Sequence, residues 1–263
     1  MSRIAHLSDL HLLEPGHLNR AGQARWRLKY LSGKRSLDSA DRRRRALSAL
    51  RDARPADHLV VTGDLTEDAH EAQFEAVAEV LDESGWTGDR VTLVPGNHDA
   101  YGPDTWSRAL EGPLRPYAKN STPGGRVELS DAILVPLSTA VEQFWGRSSG
   151  KLDLSSLPDL QALAETAAGR AIVLALHHPP FRILGHWAHG LLNHLDLSAL
   201  LKAHPEIHLL HGHIHRHRDY VLGEGLPRVF SVEAVVDSDR PLRFYDVVQG
   251  RLVPVVMEKT EAA

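Results

Sequence analysis

Five short polar motifs contain residue types that bind divalent metal ions, and each of them directly follows an aliphatic run. The motifs are Asp9-Leu10-His11, Gly63-Asp64, Gly96-Asn97-His98-Asp99, His177-His178 and His211-Gly212-His213-Ile214-His215. Carboxylate oxygens, amide oxygens and imidazole nitrogens are ligands that first-row transition metals accept. The chain has no cysteine, which excludes disulfides and thiolate metal sites. A metal in this protein is therefore expected to be held by nitrogen and oxygen.

The aliphatic runs that precede the motifs predict short buried strands that end in turns. These runs cover residues 4–7, 59–61, 91–94, 172–176 and 207–210. Open sheets bind ligands beyond the carboxyl ends of their strands. We therefore expect the five turns to converge on one site.

The side-chain types also indicate how two ions can share this site. Side chains two residues apart in an extended segment point to the same side, so Asp9-Leu10-His11 and His213-Ile214-His215 are each expected to aim a pair of ligands at one place. A single carboxylate after a strand, Asp64, can bridge two cations about 3.5–4 Å apart. Asn97 and His177 would add neutral ligands to the second ion.

Length and composition favour a single domain over residues 1–263, with a basic insert at residues 14–45 after the first motif. A chain of 263 residues with 42% hydrophobic content can bury a full core. No apolar stretch approaches the roughly 18 residues of a membrane span, which favours a cytoplasmic protein. The net charge of −4 indicates no general affinity for nucleic acid.

Helical patterns alternate with the predicted strands. Four helices are expected to begin at Ser39 or Asp41, at Asp68, at Ser155 or Ser156, and at Asp196, the first running to about Arg51. After the last polar motif, apolar runs separated by Gly and Pro predict a C-terminal series of antiparallel strands over residues 220–222, 229–232, 244–248 and 252–257.

The five motifs, in this order, resemble the signature of the calcineurin-like metallophosphoesterase superfamily: an acid-x-His turn, Gly-Asp, Gly-Asn-His-Asp/Glu, a His, and Gly-His-x-His. The resemblance implies an α/β fold, a four-layer α/β/β/α sandwich in which two packed mixed sheets are flanked by helices and a dinuclear metal site lies at the carboxyl ends of the strands. It also implies that His98 lies beside the phosphate as proton donor. By matching positions, the first ion would be held by Asp9, His11, Asp64 and His215, and the second by Asp64, Asn97, His177 and His213.

The nearest resemblance is to the bacterial cyclic-nucleotide (class III) phosphodiesterase branch, through Ser8-Asp9-Leu10-His11, Thr62-Gly63-Asp64 and Pro95-Gly96-Asn97-His98-Asp99. It implies a hydrolase that opens phosphodiester bonds, with cyclic nucleotides such as cAMP among the candidate substrates, by attack of a hydroxide bound to two divalent metals. Mixed imidazole and carboxylate shells accept Mn, Fe, Zn, Co or Ni. Phosphoprotein phosphatases instead follow Gly-Asp with Asp-Arg-Gly, whereas this chain continues with Leu65-Thr66-Glu67.

Three alternative functions stay open beside hydrolysis of a small phosphodiester. A pyrophosphatase that acts on nucleotide-linked lipid precursors is favoured by the basic insert. A DNA nuclease shares the superfamily core, but such enzymes generally need an extended basic surface or added domains. A non-catalytic metal-binding scaffold is expected to have lost ligands, and none is missing here. The oligomeric state is left open by the sequence.

The basic insert and the helix after it, residues 14–54, contain twelve Lys or Arg against four Asp or Glu. Arg25, Arg27 and Lys29 lie among aromatic and aliphatic residues in this segment. We expect these three cations to form a rim over the metal site that recruits anionic substrates, or to contact the headgroups of a peripheral membrane surface.

Several other polar residues lie in the motifs or in the segments after them. His186 and His217 follow the fourth and fifth motifs and are candidates for substrate contact. His178 is expected to point away from the site as a turn residue. His211 is expected to be structural, and Asp99 to brace its own loop.

Overall fold

The computed structural model describes residues 1–142, 148–181, 189–222, 225 and 227–255. Its strands are β1 (Arg3–Leu7), β2 (His58–Thr62), β3 (Val91–Val94), β4 (Val127–Glu128), β5 (Ala132–Pro136), β6 (Ser148–Gly150), β7 (Ala171–Ala175), β8 (His189–Leu191), β9 (Ile207–His211), β10 (Arg218–Tyr220), β11 (Val229–Ser231), β12 (Arg243–Val248) and β13 (Arg251–Val255). Its helices are α1 (Gly22–Ser32), α2 (Ser39–Asp52), α3 (Glu71–Glu83), α4 (Thr105–Glu111), α5 (Ala118–Ser121), α6 (Leu157–Thr166) and α7 (His194–Ala203). Short 3₁₀ turns occupy His17–Asn19, Gly88–Arg90, Asn97–Asp99, Arg115–Tyr117 and Leu154–Ser156.

The strands form two large mixed sheets and one small sheet. The first large sheet has the order β13-β12-β1-β2-β3, in which β1, β2 and β3 run parallel and β12 and β13 are antiparallel to their neighbours. The second has the order β10-β11-β9-β7-β5-β4, with β11, β9, β7 and β5 parallel. Strands β6 and β8 pair separately.

The two large sheets pack face to face, and helices cover their outer faces. The layer between the sheets contains Ile4 and Val60 from the first sheet and Val173 and Phe230 from the second. On the outer face of the first sheet, β1, β2 and β3 pack against α2 and α3, and on that of the second, β7 and β9 pack against α6 and α7. This arrangement confirms the predicted four-layer α/β/β/α sandwich. None of the helices in the described part of the chain combines the length and apolarity that a membrane crossing requires.

The five strands that lead into the polar motifs are neighbours within the two sheets, β1, β2 and β3 in the first and β7 and β9 in the second. The predicted runs form β1, β2, β3, β7 and β9, each within one residue of its expected bounds. Every residue of β2, β3, β7 and β9 is buried, as expected for parallel strands covered on both faces. Because these strands end at one edge of the sandwich, their terminal turns meet there.

Three of the predicted helix starts were shifted. Helix α2 is capped by Asp38, whose carboxylate accepts hydrogen bonds from the amides of residues 40 and 41, rather than by Ser39 or Asp41. Helix α3 begins at Glu71, because Asp68 stays in a loop in which its amide donates to the Gln73 side chain. Helix α7 begins two residues before Asp196.

The predicted antiparallel pairing of the C-terminal strands is confirmed for β10 with β11 and for β12 with β13, but these strands do not form one continuous antiparallel series. Strand β11 pairs parallel with β9, while β12 joins the other sheet beside β1. The C-terminal apolar runs are divided between the two sheets. The direction of each strand depends on the sheet edge to which it is added. Helix α1, inside the basic insert, had no sequence prediction.

We expect Phe230→Ala to lower the free energy of unfolding by about 3–5 kcal/mol, because the ring fills the layer between the sheets and its removal leaves a cavity there. Denaturant unfolding of the variant measures this loss. Val253→Ala, at a 41% exposed position of β13, is the control and should stay within about 0.5 kcal/mol of the parent. Equal stability of both variants would show that the sheets are not packed as described.

Candidate metal centre

The turns bring the candidate ligands into two groups, and a further group that contains Asp64 links them. Asp9, His11 and His215 offer ligand atoms within 4.8 Å of one another, and so do His177, His178 and His213. Asp64 forms a further group with Asp9 and His177. This division places His213 and His215 in different groups, rather than together as the two-residue spacing predicted.

The spacing argument agrees with the structure for Asp9 and His11, which fall in one group, and was wrong for His213 and His215. The backbone explains the difference. Asp9, His11, Asp64, His213 and His215 have φ values of 56, 47, 49, 69 and 50°, in the left-handed region. Such conformations cost non-glycine residues of order 1–3 kcal/mol each and cluster at functional sites. These residues are therefore not extended, and each side chain is aimed by its own tight turn.

Asp64 lies between the two histidine groups. Its Oδ2 is 3.7 Å from Nε2 of His11 and 3.4 Å from Nε2 of His177, while its Oδ1 accepts a hydrogen bond from the amide of His98 at 2.8 Å. Asn97 also reaches the second group, with its Oδ1 3.2 Å from Nε2 of His177. A carboxylate in this position can contribute to both ion sites, as expected of a bridging ligand.

Two glycines allow these close approaches. A side chain at Gly96 would overlap both the carboxylate and the backbone of Asp64, and one at Gly212 would overlap the hydroxyl of Ser8. Both positions therefore require glycine for packing reasons, which accounts for the glycines in the Gly96-Asn97-His98 and Gly212-His213 motifs.

The polar atoms that face the centre fit divalent cations. Within the described part of the chain, Oδ1 of Asp9 and Nε2 of His11 are buried without a hydrogen-bond partner. The outer nitrogens of two other histidines are engaged: Nδ1 of His177 lies 2.7 Å from the Thr62 carbonyl and Nδ1 of His215 lies 2.9 Å from the Asp237 carboxylate. These contacts leave Nε2 of both rings for a metal, the arrangement common among metal-binding histidines.

The carboxylates of the centre favour protonation of two of its histidines, His177 and His215. Burial opposes ionisation of Asp64, but His177 and His98 outweigh it and hold the pKa of this carboxyl well below its usual value. Burial likewise opposes the charged form of His177, yet Asp64 and Asp9 raise its pKa to about 9, and Asp9 and Asp237 raise the pKa of His215 to about 10. Cations must displace these protons, so metal affinity should rise with pH through neutrality.

His98 is held beside the centre by Glu67, a residue without an assigned role in the sequence prediction. Nδ1 of His98 lies 2.6 Å from the Glu67 carbonyl, and the ring packs edge-on against Tyr101 at 5.4 Å between centroids. The Glu67 carboxylate is fully buried and pairs with Arg42 and with Arg35. The sequence offered only a weak signal for Glu67, namely an acid three residues after Asp64.

Asp99 braces the loops that carry the ligands, in agreement with the expectation for this residue. Its carboxylate accepts hydrogen bonds from the amides of Leu65, Thr66 and Gly96 at 2.9–3.1 Å. Burial and repulsion by Asp64 raise the pKa of Asp99 to about 6. Its hydrogen bonds join the turn after β2 to the turn after β3, which fixes Asp64 relative to Asn97.

His178 differs from its predicted role. Its ring is buried and packs 4.7 Å from that of His213, while Nδ1 lies 2.8 Å from the Thr139 hydroxyl. The turn after β7 therefore brings it beside the centre instead of away from it. His211 is buried, with Nδ1 3.0 Å from the Gly212 carbonyl, as expected for a structural residue.

A cavity of about 750 Å³ opens over the centre. Besides ligand candidates and His98, its lining contains residues that the sequence prediction had not assigned to the site: Arg35, Ser148, Phe181, His189, Ile214, Arg216, Arg218 and Tyr220. Phe181 and Tyr220 pack at 4.6 Å between ring centroids on one side. The cavity thus combines a polar floor with aromatic and arginine walls.

Among the described residues, the lining of this cavity does not include Arg25, Arg27, Lys29 or His217. Arg25 and Lys29 are exposed on α1, and Arg27 covers the ring of Tyr101 at 5.1 Å and donates to the carbonyl of Asp68 at 3.3 Å. His217 lines another cavity, because its Nε2 bonds to the Arg240 carbonyl. His186 lies outside the described residues. The placement of Arg25, Arg27, Lys29 and His217 does not support their predicted contacts with substrate. For His186 the contact stays a prediction.

A family model described as calcineurin-like phosphoesterase matches residues 2–217. The chain belongs to this family. A protein of Escherichia coli (strain K12) named 3',5'-cyclic adenosine monophosphate phosphodiesterase CpdA is 28% identical over 224 residues, covering 82% of this chain and 70% of that protein. A probable cyclic nucleotide phosphodiesterase of Rhodococcus erythropolis is 28% identical over 219 residues, covering 81% of this chain and 64% of that protein.

The fold also occurs among solved structures of low sequence identity. A dimetal phosphatase from Danio rerio superposes with a TM-score of 0.64 at 14% identity, covering 93% of this chain and 92% of that one. Membership of the calcineurin-like family makes this chain a phosphoester hydrolase that uses divalent metal, which confirms the predicted class of enzyme.

Asp64→Asn should abolish binding of both metal ions, because Asp64 faces both ligand groups. Equilibrium dialysis against manganese followed by metal analysis measures the loss. The control is Asp237→Asn, which removes only the carboxylate behind His215 and should weaken one ion about 10–100-fold. An Asp64→Asn variant that retains one ion at full affinity would contradict a bridging role.

Proposed function

We propose that this protein hydrolyses phosphodiesters with small organic substituents, among them cyclic nucleotides such as cAMP, with the help of two divalent cations. The observation that carries the proposal is the position of Asp64 between two ligand groups, with His98 beside it, on the floor of a cavity large enough for a nucleotide. The names of the relatives from Escherichia coli and Rhodococcus erythropolis support the same substrate class.

The proposed sites divide the ligands as the family resemblance implied. The first ion would be held by Asp9, His11, Asp64 and His215, and the second by Asp64, Asn97, His177 and His213. Bound divalent cations lower the pKa of a coordinated water and neutralise phosphoryl charge. A donor set of imidazole, carboxylate and amide accepts Mn, Fe, Zn, Co or Ni, and availability selects among them.

The remaining chemistry belongs to side chains of the chain itself. His98 lines the cavity and is held through Nδ1 by the Glu67 carbonyl, which leaves Nε2 to donate a proton to the departing oxygen. Phe181 and Tyr220 offer an aromatic surface for an organic substituent, and Arg216 and Arg218 offer cations on the same side.

The principal alternative is a pyrophosphatase that acts on nucleotide-linked lipid precursors. Exposed Trp26 and Tyr30 stack on α1 beside Arg25 and Lys29, a mixture suited to a lipid headgroup region. A parallel screen of cyclic nucleotides, linear diesters, pyrophosphate-linked lipids and DNA separates this alternative and the nuclease from the proposed activity. The diester proposal is overturned if pyrophosphate-linked lipids or DNA are cleaved at least tenfold more efficiently than every small diester.

We predict a preference for phosphodiesters over phosphomonoesters. The turn after Asp64 reads Leu65-Thr66-Glu67 and contains no arginine, and the charge of Arg35 beside it is partly offset by Glu67, so the second negative charge of a monoester gains less there than it would from a free cation. The specificity constants for bis-nitrophenyl and mono-nitrophenyl phosphate decide the matter. A monoester preference of about tenfold or more would remove the diester assignment.

His98→Ala should keep both metal ions but lose turnover by about 10²–10⁴-fold on esters with an alkyl leaving group. Esters with a nitrophenolate leaving group should lose much less, because nitrophenolate departs without protonation. His217→Ala is the matched control, since it removes an imidazole from a different cavity. Equal losses on the two classes of ester would argue against proton donation by His98.

A further inference from the structure

Arg35 is an arginine of the cavity wall that belongs to none of the five polar motifs. It lies three residues after the end of α1, inside the basic insert, and lines the same cavity as His11, Asp64 and His98. Its side chain is only 17% exposed, whereas Arg216 and Arg218, which also line the cavity, are exposed. Arg35 is therefore the cation of this cavity that is built into the protein rather than extended into solvent.

The Arg35 guanidinium is fixed in place on one side. Its Nη2 donates to the carboxylate of Glu67 at 2.6 Å and to the carbonyl of Leu31 at 2.8 Å. Its Nε is buried and has no hydrogen-bond partner within the described residues. A planar guanidinium has five N–H donors, and since Nη2 uses its two, the N–H groups of Nη1 are the ones available to an acceptor in the cavity.

Glu67 ties this guanidinium to the catalytic centre. The carboxylate oxygen that accepts from Arg35 is 3.6 Å from Nδ1 of His98, and the other oxygen is 3.6 Å from Nδ1 of His11. Arg42, almost completely buried, pairs with the same carboxylate and donates to the backbone carbonyl of His11. Arg35 is thereby held close to both His98 and the first group of ligands.

A purely structural role accounts for only part of this arrangement. Glu67 already has a buried partner in Arg42, so charge balance at the carboxylate does not require a second arginine. An arginine that only closed the end of α1 would gain nothing from facing the cavity. Burial opposes the charged form of Arg35, yet Glu67 and Asp64 raise its pKa, so the cation is retained at the site.

We propose that Arg35 binds a non-bridging phosphoryl oxygen of the substrate and determines affinity for the phosphate group. This inference rests on the proposed phosphodiesterase function and adds a substrate-binding residue outside the family signature. The guanidinium is preorganised by Glu67, so little conformational entropy is lost when a phosphoryl oxygen binds. The basic insert thus contributes to the site through Arg35 rather than through Arg25, Arg27 and Lys29.

The test compares Arg35→Gln with Lys34→Gln, which removes the same charge from the adjacent, exposed position. Loss of a charge-assisted hydrogen bond should raise KM for bis-nitrophenyl phosphate about ten- to a hundredfold in Arg35→Gln. Calorimetric titration of the manganese-loaded protein with inorganic phosphate should show a matching rise in Kd. Metal content should be unchanged, and Lys34→Gln should resemble the parent in all three measurements.

Wild-type KM and phosphate Kd in Arg35→Gln would overturn the proposal, as would an equal loss in Lys34→Gln. If Arg35→Gln loses metal or thermal stability, the phosphate Kd is measured on Arg35→Lys instead, because this variant keeps the positive charge beside Glu67. An ammonium group cannot hold Glu67 and span to phosphate with the same fork, so phosphate should still bind at least about tenfold more weakly. Full metal content with wild-type phosphate affinity in Arg35→Lys would also overturn it.

The measurements of diester hydrolysis and of phosphate binding distinguish a failure of this inference from a failure of the proposed function. If the parent hydrolyses no diester but binds phosphate in an Arg35-dependent way, the proposed function fails and the role of Arg35 stands. If the parent hydrolyses diesters and Arg35→Gln does so with unchanged KM and phosphate Kd, only the role of Arg35 fails.

Discussion

The burial of two carboxylates, Asp9 and Asp64, beside each other is the constraint on which the site depends. Both are almost completely excluded from solvent, where an uncompensated charge is costly. Protonated His177 and His215 provide such compensation, because the carboxylates raise their pKa values to about 9 and about 10. Divalent cations supply the same compensation more strongly, so the arrangement favours metal binding.

The fold provides the rigidity that this concentration of charge requires. Neighbouring parallel strands of two packed sheets end at one edge, and tight left-handed turns aim the side chains from there. The strain of these turns is offset by the buried strands that precede them and by loop contacts such as those of Asp99. The position of Asp64 is therefore set by the backbone conformation of its turn and by the surrounding loop contacts, rather than by the rotamer preference of its side chain.

Glu67 extends this control from the ligands to the reacting groups. Its carbonyl orients His98, and its carboxylate forms ion pairs with Arg42 of α2 and with Arg35 of the basic insert. Buried ion pairs of this kind contribute little net stability, because desolvation opposes the attraction. Their value here is geometric, since one carboxylate fixes a proton donor and a guanidinium on the wall of the same cavity.

The positions of the five strands and the identities of the candidate metal ligands could be predicted from the sequence. Aliphatic runs located the five strands, and the acid, amide and imidazole types after them identified Asp64, Asn97 and His177 as residues that the structure brings together, because local hydrophobicity and residue chemistry are readable along a chain. Helix starts were less well predicted, since capping at Asp38 and His70 depends on loop geometry.

The assignment of these residues to the two ligand groups could not be predicted from the sequence and became visible in the folded chain. The two-residue spacing of His213 and His215 suggested a common target, but their left-handed backbone sends them to opposite groups. Asp237 supports His215 and Arg35 faces the cavity, although neither lies in a motif. Such contacts join segments far apart in the chain, and a pattern of neighbouring residues carries no information about which distant segment will pack against it.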